Sequence, residues 1–250
     1  MRALTLTDSF CNSKDLRKEE RISCFQVASS FYDMLRDLDE RSFLRSDLKF
    51  EKEGHRIRFM DILWNVRKVT NAFNKFFDVY AEKIKPNSKQ KLRKFMEVGN
   101  FTEEELRYLL YSEMVFVFLQ NIEEFRSIML FILKLPINYV IENNGMKKRI
   151  RISKKTTIGK LLKYLEEMGI KNSDILNEAI DVELRNGLSH CLFWFHEKGD
   201  EECPKPHLHY SEDVEFQRIH FINIADLYLK MRNQSIYTNC LLNVIGDWFS

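Results

Sequence analysis

The residues best suited to chemistry lie in one short stretch, Arg185-Asn186-Gly187-Leu188-Ser189-His190. Histidine exchanges a proton near neutral pH, and the planar guanidinium of arginine matches the oxygens of a phosphate. Asparagine can orient an imidazole or bind a phosphate oxygen. We therefore expect chemistry at a phosphate group, with Arg185, Asn186 and His190 as candidate catalytic residues and Ser189 as a candidate RNA contact.

The stretch belongs to a predicted helix that starts at Ser173 or Asp174. An unbroken i+4 row of apolar residues predicts this helix and its core-facing side: Leu176, Ile180, Leu184 and Leu188. Asn186 and His190 are four residues apart and share a neighbouring face. Gly187 lets another backbone or a ligand approach closely. An ordinary surface helix with a cap or salt bridge remains the alternative.

A dense basic segment comes directly after the turn signal Asn143-Asn144-Gly145. Its cations are candidate RNA-binding residues: Lys147, Lys148, Arg149, Arg151, Lys154 and Lys155. Ile150 and Ile152 alternate with them, which is typical of a half-buried ribbon. A solvated loop is the alternative. The net charge of +2, from 39 basic and 37 acidic residues, gives no further indication of a partner.

The cysteines and the apolar segments indicate the cellular setting. Five cysteines, an odd number without a CxxC pair, predict reduced intracellular thiols. The N-terminus lacks a signal-peptide core. The most apolar stretch, 127–141, is interrupted by Lys134 and Pro136, so we expect no membrane span. These features predict a cytoplasmic protein.

The aromatic and histidine-rich segment after His190 is predicted to form a small hairpin or loop. Cys191–His196 and His207–Tyr210 are expected to be its two short strands. The spacing of the histidines and cysteines here matches no familiar zinc pattern, so we expect no metal and no cofactor. For Trp194 and Phe195, packing in the core is favoured over stacking on a base.

Apolar periodicity predicts helices elsewhere. They cover about 58–83, from Thr102 to Pro136, from Thr156 or Thr157 to Gly169, near Ile224–Arg232 and near Ile236–Phe249. Low glycine and proline counts, 8 and 4, also favour long helices. We therefore expect an all-α protein.

The segment Leu184–His190 resembles the signature of the HEPN superfamily, the higher eukaryotes and prokaryotes nucleotide-binding domain. That signature is an arginine, a polar residue that is often asparagine, a short gap and a histidine. Thr157–Leu165 resembles the helix before the motif, and Cys191–His196 with Phe221–Leu229 resembles the segments after the motif. The resemblance covers about 156–229, and the helix from Phe101 fits the same bundle.

The resemblance implies an up-and-down helical bundle over 101–250, with an extra N-terminal helical region over 1–100, or one continuous domain. It also implies a metal-independent endoribonuclease, in which His190 is the acid or base, Arg185 holds the phosphate and Asn186 orients. Two copies would meet in a homodimer or with a related protein. Defence, toxin action beside an antitoxin partner, or RNA processing are the expected settings. The alternative is a non-catalytic HEPN module that binds RNA or nucleotide, or scaffolds a partner protein.

Overall fold

The computed structural model describes residues 6–13, 16–49, 102–143, 146–190, 192–196, 205–211, 213 and 215–249. The predicted helix over about 58–83 and the predicted boundary at residue 100 lie outside these ranges. The described helices are α1 (Leu6–Cys11), α2 (Lys18–Glu40), the 3-10 helix Ser46–Lys49, α3 (Glu103–Ile132), α4 (Ile158–Glu167), α5 (Asp174–Ala179), α6 (Val182–Ser189) and α7 (Ile224–Trp248).

The chain divides into two compact units, and each is assembled from separate segments. The first unit comprises 1–63, 122–182 and 234–250, and the second comprises 64–121 and 183–233. No helix in the described ranges combines the length and the apolar character that a membrane crossing requires.

The all-α prediction is wrong, because two antiparallel sheets accompany the helices. Strands β1 (Ile137–Asn143) and β2 (Met146–Ile152) pair as a hairpin. Strands β3 (Phe193–His196), β4 (His207–Ser211) and β5 (Ile219–Asn223) form a three-stranded sheet with β4 in the centre. In the sequence, the apolar residues of β1 continue the apolar run of α3, so periodicity alone does not separate the strand from the helix.

The core of the first unit forms around α2. Phe31 is fully buried, and its ring lies 6.3 Å from that of Phe125 in α3 and 6.5 Å from that of Tyr237 in α7. Met34, Leu35 and Leu38 are also fully buried and lie on the same side of α2. The buried residues Phe31, Met34, Leu35 and Leu38 follow one another at intervals of three, one and three positions, which is the spacing of one face of an amphipathic helix.

The short helix α1 is fixed by one carboxylate of α7. The backbone N–H groups of Leu6 and Thr7 donate to Asp247 at 2.8 and 2.9 Å, and the Tyr32 hydroxyl donates to it at 3.0 Å. Burial of this carboxyl opposes its ionisation, but the hydrogen bonds from Thr7, Leu6 and Tyr32 outweigh that effect. The pKa of Asp247 is therefore below its usual value.

The predicted motif helix is interrupted. Helix α5 ends at Ala179 and α6 begins at Val182, while Ile180 is extended, with φ −130° and ψ 110°. All four residues of the i+4 row are nevertheless buried. An apolar row fixes which side chains are buried, but it does not require one continuous helix. Conversely, the two helices expected at the C-terminal end are one helix, α7.

Candidate active site

Helix α6 lies against β4 at Gly187. A Cβ atom at this position would lie 2.7 Å from Cδ2 of Tyr210 and 3.0 Å from the carbonyl oxygen of Ser211. The predicted close approach at Gly187 is therefore confirmed, and the approaching group is the β4 strand. The Leu192 N–H donates to the Gly187 carbonyl at 3.2 Å, and the Ser211 N–H donates to the Leu192 carbonyl at 2.9 Å. These contacts hold the end of α6 against the sheet.

Arg185 and Asn186 are joined by a side-chain hydrogen bond. Nη1 of Arg185 donates to Oδ1 of Asn186 at 3.2 Å, and both side chains are half-buried. None of the hydrogen bonds in the described ranges joins the Asn186 amide to the imidazole of His190. The geometry therefore links Asn186 to the arginine, whereas the sequence had suggested that Asn186 orients the imidazole or binds a phosphate oxygen.

His190 lies one residue beyond the last turn of α6 and is exposed. Its backbone N–H donates to the Asn186 carbonyl at 3.3 Å, which keeps the i to i+4 relation of the two residues. The Ser189 hydroxyl donates to the same carbonyl at 3.1 Å. The imidazole is thus accessible, and the hydroxyl of Ser189 is bonded to its own helix. The roles of all four residues remain predictions.

An aromatic and imidazole face on the three-stranded sheet was not predicted. Strand pairing places Trp194 beside His209, His196 beside His207, and Phe221 on the other side of His209. The ring of Trp194 stacks on that of His209 at 5.0 Å, and Nε2 of His207 lies 2.8 Å from Nε2 of His209. The sequence signal for this face is the alternation of residues within β3 and β4, because residues two apart on a strand point to the same side of the sheet.

The two aromatic residues of β3 differ in their surroundings. Phe195 is half-buried, and its ring packs on Tyr111 at 5.3 Å and on Phe193 at 5.7 Å. Trp194 is 37% exposed, and it lies 6.0 Å from Phe216, which is 42% exposed. The expectation of core packing is therefore met only in part by Phe195 and is wrong for Trp194. We call Trp194, Phe216 and Phe221 the aromatic face.

The basic segment forms strand β2, so the half-buried ribbon is confirmed. Ile150 and Ile152 are buried, whereas Lys147, Arg149 and Arg151 are exposed. Residues at this spacing point to one side and are about 6.8 Å apart. We call Lys147, Arg149 and Arg151 the basic face. No ion pair in the described part of the chain involves these three.

The other predicted RNA-binding cations have different surroundings. Lys148 points to the opposite side of β2 and pairs with Glu167 at 2.5 Å. Lys154 and Lys155 are exposed in a tight turn, where Arg126 donates to the carbonyls of Lys154 and Thr156 at 3.2 and 2.8 Å. Of the six predicted RNA-binding cations, three therefore lie on the exposed side of β2, one pairs with Glu167, and two lie in a turn whose backbone Arg126 binds.

The candidate residues divide between the two units. Residues 185–190 and the aromatic face belong to the second unit, and the basic segment belongs to the first. Within the second unit, a short helix end and one sheet therefore carry a guanidinium, an exposed imidazole and exposed rings. A comparison of the chain with protein-family models, with curated proteins and with solved structures found no match.

Proposed function

We propose that this chain is a metal-independent endoribonuclease that acts as a homodimer in the cytoplasm. The observation that carries the proposal is that an accessible imidazole, His190, and a half-buried guanidinium, Arg185, both lie at the end of a helix that packs on β4 at Gly187. Rigid placement of a proton-transfer group beside a phosphate-binding group is the main requirement for cleaving RNA through its own 2′-hydroxyl. Defence, toxin action or RNA processing are the proposed settings.

In the proposed reaction, the RNA supplies its own nucleophile. The imidazole of His190 takes the proton of the 2′-hydroxyl, and the 2′-oxygen attacks the neighbouring phosphorus. The bond from phosphorus to the 5′-oxygen breaks, and the partner's His190 protonates that oxygen. The products are a 2′,3′-cyclic phosphate and a 5′-hydroxyl. Arg185 stabilises the charge on the phosphate oxygens, and Asn186 orients the guanidinium through its hydrogen bond.

A second copy is required in this proposal because the chain carries one such motif. Helix α3 offers apolar side chains for an interface in the same unit as His190. Leu109 and Phe116 are seven residues apart on this helix and are 50% and 58% exposed. Exposed apolar side chains at helical spacing are typical of surfaces that bind another protein.

The exposed rings favour single-stranded RNA as the substrate. Unpaired bases stack on aromatic side chains, while arginine and lysine hold the backbone. The aromatic face of the second unit provides such rings, with Phe221 49% exposed. The basic face of the first unit is a separate candidate surface for contacts to the RNA backbone.

Substitution of the motif tests the catalytic proposal. We expect His190→Ala to lower the cleavage rate of single-stranded RNA by about 10²–10⁴-fold, and Arg185→Ala by about 10²–10³-fold. Arg185→Lys should retain part of the activity because it keeps the charge without the planar fork. Glu183→Gln, an exposed position on the same helix, is the matched control. A His190→Ala protein that is folded and fully active would refute the assignment, as would strict dependence on a divalent ion.

A mixing experiment tests the composite site. Wild-type and His190→Ala chains are denatured, mixed in equal amounts and refolded together. If every site needs both histidines, random pairing leaves about a quarter of the dimers active, whereas independent sites would retain about half of the activity. Retention of about half of the activity would contradict a shared site, but it would not contradict the catalytic role of His190.

The basic and aromatic faces also favour a second candidate, a module that binds RNA without cleaving it. This candidate uses the same surfaces but needs no proton transfer at His190. The product ends distinguish the two. Fragments that end in a cyclic phosphate support the enzyme, and tight binding with intact RNA supports the module.

A further inference from the structure

Three cysteines that are far apart in the sequence converge in the first unit. Cys11 is the last residue of α1, Cys24 lies in α2, and Cys240 lies in α7. The Sγ atoms of Cys11 and Cys24 are 2.8 Å apart, and those of Cys24 and Cys240 are 3.8 Å apart. All three Sγ atoms lie within 4.8 Å of one another, and each residue is 0% exposed. Three helices therefore direct their thiols to one point.

We propose that Cys11, Cys24 and Cys240 form a binding site for a thiophilic metal ion. Metal–sulfur bonds of about 2.3 Å at angles of 109–120° place sulfur atoms about 3.8–4.0 Å apart. The distance from Cys24 to Cys240 already has this value. The Cys11 and Cys24 sulfurs must separate by about 1 Å, which a side-chain rotation can supply. Each thiol releases its proton to solvent as its sulfur binds the metal.

The number of donors narrows the choice of metal. Among the described residues, no histidine, aspartate or glutamate joins these three cysteines in the cluster. A structural zinc ion takes four ligands, whereas Cu⁺ is selected by soft sulfur donors. A site with three sulfur atoms that is closed to solvent therefore fits Cu⁺ best. Zn²⁺ would need a fourth ligand.

The proposed site would join the same helices that Asp247 joins. Asp247 receives the N–H groups at the start of α1 and the Tyr32 hydroxyl of α2. The cysteines connect the end of α1 to α2 and α7. A six-residue helix is not stable alone in water, so a metal bond at its end would stabilise the folded chain. This inference is independent of the proposed ribonuclease activity, and its test uses no cleavage assay.

The test uses the full chain with Cys191→Ser and Cys203→Ser, so that only the three clustered cysteines remain. The reduced, metal-free protein is titrated anaerobically with Cu⁺ alone or with Zn²⁺ alone. We expect one ion of the preferred metal per chain after desalting, a higher melting temperature, and alkylation of the thiols slowed by about tenfold or more. Retention of either ion supports the site, and the ion that binds more tightly identifies the metal of the site.

Cys11→Ser is the most informative single variant because Cys11 lies at the end of a short helix. It should lose the bound ion and the protection of Cys24 and Cys240, while circular dichroism shows that the chain is folded. The alkylation measurement needs no substitution within the cluster, so the proposal remains testable if Cys11→Ser does not fold. Failure to retain either ion would overturn the proposal. So would equal retention by folded Cys11→Ser, or a Cys11–Cys24 disulfide, seen as the loss of two hydrogen masses, in place of bound metal.

Discussion

Replacement of Gly187 by alanine should destabilise the protein, although alanine is the better helix former. In an exposed helix, the exchange would gain about 1 kcal/mol. Here the new Cβ would lie 2.7 Å from the Tyr210 ring and 3.0 Å from the backbone oxygen of Ser211. Tyr210 is buried, and its ring stacks on His220 at 5.3 Å, so it has little room to move. Overpacking of this kind costs about 1–3 kcal/mol.

The 2.7 Å approach is closer than real Cβ contacts, so the cost lies in the upper part of this range, about 2–3 kcal/mol, and the net effect should be a loss of about 1–2 kcal/mol in the free energy of unfolding. For a chain of this size, that corresponds to a fall of roughly 2–8 °C in melting temperature. Urea titration and thermal melting of the wild type and the variant measure it. We also expect the cleavage rate to fall, because α6 must move away from β4 and carries Arg185 and His190 with it.

Gly159→Ala is the matched control for this prediction. Gly159 also lies in a helix, α4, but its added Cβ would meet only the Cγ1 atom of Val182, at 3.3 Å. That side chain can shift by a few tenths of an ångström, so we expect no loss of stability and a gain of up to about 1 kcal/mol. The reasoning fails if Gly187→Ala is as stable as the wild type, or if both alanine variants lose the same stability.

Two further predictions concern the basic face and Asp247. The triple change Lys147→Gln, Arg149→Gln and Arg151→Gln should weaken binding of single-stranded RNA and reduce the slope of log affinity against log salt by about 2. Lys148→Gln should change the affinity and the salt slope less, because Glu167 already pairs with Lys148. Equal effects of the single and the triple change would contradict the assignment of the basic face. The lowered pKa of Asp247 stabilises the fold above the usual aspartate pKa of about 3.9, and this contribution is lost as the pH falls through the lower folded value. Urea midpoints from pH 7 to pH 3 should therefore fall less steeply for Asp247→Asn than for the wild type, and parallel curves would refute this account.

Local signals in the sequence predicted local features well. Thr102, where this helix was predicted to begin, caps α3, with the Glu105 N–H donating to Oγ1 of Thr102 at 3.1 Å. Gly169 ends α4 with φ +65°, a conformation that glycine adopts readily. The alternation of lysine, arginine and isoleucine in β2 correctly predicted one buried side and one exposed side. Each of these features depends on residues within a few positions of one another.

Features that depend on distant partners could not be predicted in this way. The three-stranded sheet needs β5, which pairs with β4 beyond an intervening loop, and no local pattern indicates that pairing. Cys24 and Cys240 are 216 positions apart, so their meeting depends on the packing of α2 and α7. The break at Ile180 is similar, since burial of the i+4 row is compatible with one helix or with two. The motif and the β4 strand were both predicted from the sequence, whereas the packing of β4 against Gly187 was not.

The division of the chain into two interleaved units decides how the protein can be dissected. Helix α3 passes from the second unit to the first between Asn121 and Ile122, and α7 makes the same crossing between Asn233 and Gln234. A fragment of residues 101–250 would cut both helices off from α2, which carries the buried Phe31. The exposed core of such a fragment would favour aggregation, and its inactivity would say nothing about His190. Single substitutions in the full chain are therefore the proper tools for assigning roles to either unit.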